Sequence, residues 1–66
     1  MNTYLVSFTK YFYAAPSVFK ICHADTKEEV LKKANEYLKD NDDIKSIATV
    51  IKFNKNKNPI NYSSID

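Results

Sequence analysis

Cys22 and His23 stand side by side in the chain, and a thiol next to an imidazole is the pairing that a cysteine nucleophile uses. The surrounding stretch, "SVFKICHA" over 17–24, reads as a strand, in which consecutive side chains point to opposite sides. The two groups then cannot share a proton. There is one histidine and no glycine in the sequence, so it supplies neither a second imidazole nor a glycine-rich loop that could cradle an oxyanion or a phosphate. A packing role for Cys22 and a surface role for His23 are expected instead.

Asp40, Asp42 and Asp43 resemble the opening of a calcium loop. Such a loop needs a longer series of ligands, a glycine at the sharp turn and a closing bidentate glutamate, and none of these follows. One His and one Cys also fall short of the four ligands of a structural zinc site. No metal and no cofactor are expected. With no triad, no paired catalytic carboxylates and no metal cluster, the chain is not expected to be an enzyme. A single helix on a small sheet also has little scope to enclose the ~300 Å³ of a usual ligand pocket.

Charge is more unevenly placed than the net of +2 suggests. Residues 25–43 hold seven acids and four lysines, whereas residues 44–58 hold Lys45, Lys52, Lys55 and Lys57 with no acid. Lysines beside aromatic side chains are the ingredients of a platform for single-stranded nucleic acid. Against that reading, arginine is absent, although it is the usual bidentate and stacking cation. A net charge of +2 is also a weak footprint for a polyanion. Nucleic-acid binding through Lys45, Lys52, Lys55 and Lys57 is therefore the alternative expectation.

The elements that would position these residues can be read in order. "TYLVSFTKYFY", 3–13, is rich in the β-branched and aromatic residues that fit a pleated surface, and holds five of the chain's nine aromatics. "AAPS" breaks it, because Pro16 lacks a ladder donor and biases Ala15 away from helix. A second strand follows over 17–24. "DTKEEVLKKANEYLKDND" then carries a capping box in Thr26 and Glu29, acids in the first turn, and an apolar stripe of Val30, Leu31, Ala34, Tyr37 and Leu38. A helix is expected over 27–40, ended by Asn41 in the left-handed conformation that the missing glycine would otherwise supply. This capped helix is a generic design and points to no family. "IKSIATVIKF", 44–53, is the third strand. The polar remainder, 54–66, is expected to be a disordered tail or to add a short fourth strand near Ile60 to Tyr62.

The expected fold is α+β, a single β-β-α-β domain over 1–53. Its three-stranded sheet has the order 2-1-3 and one helix packed on one face. Strict alternation assigns Tyr4, Val6, Phe8, Phe19, Ile21, Ile47 and Ile51 to the helix side, with Val30, Leu31, Ala34 and Leu38 from the helix. Leu5, Ser7, Thr9, Tyr11, Tyr13, Val18, Lys20, Cys22, Ala48, Val50 and Lys52 fall on the side that one helix leaves open.

Sixty-six residues bury only about 60% of the unfolded chain's surface, and a lone cysteine cannot staple the core by an intrachain disulfide. The leading expectation is a non-enzymatic protein-binding module. Its partner would contact Tyr11, Tyr13, Val18, Lys20, Val50 and Lys52 on the open face, with a homodimer through that face as a variant. Lys, Asn, Ile and Tyr make up 28 of the 66 residues. They have A/T-rich codons, a skew common in short phage and mobile-element proteins, so an inhibitor or adaptor acting on a host or defence protein is the example in view. No run approaches the ~20 apolar residues of a membrane span and no export signal is visible, so a cytoplasmic chain with no membrane partner is expected.

Overall fold

The computed structural model describes residues 1–12, 14–53 and 62–65; Tyr13, residues 54–61 and Asp66 lie outside the described residues. The elements are β1 (Asn2–Thr9), β2 (Val18–Ala24), α1 (Lys27–Asp40), β3 (Ser46–Lys52) and β4 (Ser63–Ser64). They form one mixed sheet in the order β3-β1-β2-β4. β1 runs antiparallel to both of its neighbours. The α+β class and the central place of the first strand agree with expectation. The order gains a fourth member, the two-residue β4, which lies parallel to β2 opposite Lys20 and Ile21. It sits slightly later than the expected Ile60 to Tyr62, of which residues 60 and 61 lie outside the described residues.

β1 is shorter than its composition suggests. The hairpin closes where the Ser17 N–H donates to the Phe8 carbonyl at 3.0 Å, with Phe8 paired to Val18. Continuing the register would bring Pro16 against Lys10, and proline has no N–H to give to a ladder. Tyr11 and Phe12 therefore leave the sheet and belong to the connection.

Helix α1 follows its sequence signals closely at the start. Thr26 is the extended N-cap, and its Oγ1 accepts from the Glu29 N–H at 3.3 Å. The returning arm reaches one residue further back than a capping box predicts, with the Asp25 N–H donating to Glu29 Oε2 at 3.5 Å. The far end differs from expectation. Asn41 has φ −126° and ψ 102°, extended rather than left-handed. Its side chain replaces the glycine solution, donating from Nδ2 to the Tyr37 carbonyl at 2.8 Å, while its N–H reaches Leu38 O at 3.4 Å.

The core gathers Tyr4, Val6 and Phe8 from β1, Cys22 and Ala24 from β2, Val30 and Ala34 from α1, and Ile44. Val18, Tyr37, Leu38, Ile47, Val50 and Ile65 pack around it. The Phe8 and Tyr37 rings lie 5.3 Å apart at 38°. Each fully buried aliphatic or aromatic side chain here contributes on the order of 1.5–3 kcal/mol. The β1 and helix assignments hold except for Leu31, which is exposed.

The faces of β2 and of the second half of β3 are the reverse of expectation. Directly opposed residues of an antiparallel pair share a face. The register Tyr4↔Cys22, Val6↔Lys20 and Phe8↔Val18 therefore puts Val18, Lys20 and Cys22 under the helix, and Phe19 and Ile21 on the far side. On β3 the register slips by one residue, from Ser7↔Thr49 to Phe8↔Ile47. Ala48 is the extra residue of a bulge, and a bulge shifts the alternation that follows it. Ile47 and Val50 consequently both face the helix. Lys52 joins them opposite Tyr4, and Ile51 turns to the far side opposite Leu5.

Candidate interaction surface

The far side of the sheet carries Leu5, Ser7 and Thr9 from β1, Phe19, Ile21 and His23 from β2, and Thr49 and Ile51 from β3. The strand lysines, Lys20 and Lys52, are not among them, because both stand on the helix side. Two hydroxyl pairs knit β1 to β3: Thr9 Oγ1 and Ser46 Oγ at 2.6 Å, and Thr49 Oγ1 donating to Ser7 Oγ at 2.9 Å. The face is not bare throughout. Ser7, Thr9 and Ile21 are buried, which corrects the expectation of a wholly open sheet face.

What remains accessible is a set of large apolar side chains. Tyr11 is 73% exposed, Phe12 71%, Ile51 52%, Tyr62 46% and Phe19 39%. Tyr11 and Phe12 occupy the connection that Pro16 forces out of the ladder. Phe19 is turned outward by the hairpin register, and the Tyr62 ring lies 6.0 Å from it at 46°. Aromatic side chains of this kind are enriched at protein interfaces, where rigid rings cover large area at small cost in entropy.

Of the residues expected to bind a partner, the structure leaves Tyr11 exposed, while Tyr13 lies outside the described residues. It moves the other four to the helix side. Val18 and Val50 pack against the core. Lys20 is half-buried, donating from Nζ to Ser63 Oγ at 2.6 Å with its ammonium 5.7 Å from the centre of the Tyr37 ring. Lys52 is exposed at the end of β3. Of the lysines expected to meet nucleic acid, Lys45 donates from Nζ to the Asp42 carbonyl at 3.3 Å, and Lys55 and Lys57 lie outside the described residues. Among the described residues, Lys45 and Lys52 and the exposed aromatics do not form one platform on the sheet. Phe19, Ile51 and Tyr62 were missed by sequence reasoning. The hairpin register could have exposed Phe19, but no periodic signal marks the bulge or Tyr62.

Cys22 is buried under the helix and His23 is half-buried on the other side, as alternation requires. Among the described residues no group of three or more His, Cys, Asp or Glu side chains is placed to hold a metal ion, and no helix is long and apolar enough to cross a membrane. A hollow of about 310 Å³ opens between α1 and Ile65, lined by Lys33, Glu36, Tyr37 and Asp40. It is a solvent-facing notch with both signs of charge on its rim. No family model, no curated protein and no solved structure matches this chain.

Proposed function

We propose that the protein is a non-enzymatic binding module whose partner is another protein, acting by covering a surface of that partner as an inhibitor or adaptor does. The observation that supports this reading is the exposure of Tyr11, Phe12, Phe19 and Tyr62. Together they are four of the chain's nine aromatics, held out of a core too small to spare them. The uncharged far face of the sheet favours a protein over a polyanion, since a nucleic-acid platform needs cations beside its stacking rings.

The test is affinity capture by the full chain from the cells that naturally make it, with and without nuclease, beside the Tyr11→Ala/Phe12→Ala double variant. A protein retained after nuclease and lost from the double variant, whose circular dichroism is unchanged, is the expected result. Retention that disappears with nuclease, accompanied by salt-sensitive binding of a single-stranded oligonucleotide, would replace the proposal with the nucleic-acid reading.

A further inference from the structure

β3 is the outermost strand on its side of the sheet, and among the described residues no strand lies beyond it. Ala48, Thr49, Ile51 and Lys52 are all exposed. The direction of its backbone groups follows from one bond: the Phe53 N–H donates inward to the Thr3 carbonyl at 2.9 Å. Bonded and non-bonded pairs alternate along an antiparallel ladder, so Ile51, opposite Leu5, also bonds inward. Val50 and Lys52, opposite Val6 and Tyr4, therefore direct their N–H and C=O groups outward. The bulge at Ala48 breaks the edge on one side, leaving Thr49 to Phe53 as the regular stretch. The usual guards of such an edge are proline, inward-pointing charge or a covering element. Here the regular stretch has only Lys52 and the neighbouring bulge.

We propose that this edge binds an extended segment of a partner protein, adding it to the sheet as a further strand, and that the segment alternates apolar and acidic residues. The backbone groups of Val50 and Lys52 supply the hydrogen bonds of such an addition, and the pleat supplies the selectivity. A residue set beside Ile51 shares the far side, where an apolar group covers a half-exposed isoleucine. A residue set beside Lys52 shares the helix side, where a carboxylate meets an ammonium. Residues 44–53 contain Lys45 and Lys52 and no acid. A second copy paired through Ile51 would set its Lys52 diagonally across from the first on one face, a like-charge contact that opposes self-pairing. The edge meets the candidate surface at Ile51 but uses none of the exposed aromatics on which the proposed function rests, so its test can fail while the proposed function stands.

The probe is a blocked decapeptide of alternating glutamate and valine, titrated into the isotopically labelled full chain at low salt, with an alternating lysine–valine peptide as control. Amide exchange at Val50 and Lys52 is expected to slow with the glutamate peptide and not with the lysine peptide. The Lys52→Glu variant, an exposed substitution that leaves the fold intact, should bind the glutamate peptide about fivefold more weakly and prefer the lysine peptide. No slowing at millimolar peptide would overturn the proposal, as would equal slowing with both peptides or perturbation centred on Tyr11 and Phe12. Slowing that grows with the protein's own concentration, without peptide, would assign the edge to a second copy instead.

Discussion

Phe8 and Tyr11 lie three residues apart and do opposite work. Phe8 has no exposed surface, and its ring rests against Tyr37. Truncating such a side chain removes its transfer energy and leaves a cavity, at about 3–5 kcal/mol. A chain of 66 residues has roughly 3–10 kcal/mol of stability in total, at 0.05–0.15 kcal/mol per residue. Phe8→Ala should therefore abolish or nearly abolish the cooperative urea transition. Tyr11, 73% exposed, has almost no packing to lose, and Tyr11→Ala should shift stability by no more than about 0.5 kcal/mol. Equal losses in urea unfolding would contradict the division between core and contact residues. That division was legible in part. Phe8 declares itself by alternating with Tyr4 and Val6, whereas Tyr11 left the strand for a reason encoded five residues on, at Pro16.

At the scale of elements, the helix was the most readable part of the chain, because Thr26, Glu29 and the stripe through Val30, Ala34, Tyr37 and Leu38 all act locally. The faces of β2 and β3 were not, because neither is fixed by its own residues. Phe19 and Ile21 look more like core than Cys22 does, yet pairing with Tyr4 decides the matter for β2. In β3 one extra residue at Ala48 reverses the alternation. The reversal makes a direct prediction. Val50 packs on the core and Ile51 does not, so Val50→Asp should cost about 1–3 kcal/mol more than Ile51→Asp, measured by urea unfolding. An unbulged strand gives the opposite ranking. The candidate surface inherits the same error: four residues expected on it belong to the helix side, and of Phe19, Ile51 and Tyr62, which help form it, only Phe19 had a readable cue, in the hairpin register.

At the scale of the whole molecule, the described residues form two layers, with the two residues of β4 set beside Lys20 and Ile21 of β2 and held by Lys20, Ser63 and the Ile65 N–H donating to the Ile21 carbonyl at 2.9 Å. On the sheet, Lys20 and Lys52 lie on the helix side, while exposed rings lie beside Phe19 and in the hairpin connection, where Lys10 adjoins Tyr11. The absence of lysine from the far side of the described strands underlies the proposal that this side and the adjoining connection meet a protein. A photoreactive benzoylphenylalanine in place of Phe12, compared with the same group in place of Glu36 on the helix, reports on it in cells that naturally make the chain. The account predicts a nuclease-resistant adduct to a protein from position 12 and none from position 36. No protein adduct at position 12, or equal adducts from both positions, would contradict it.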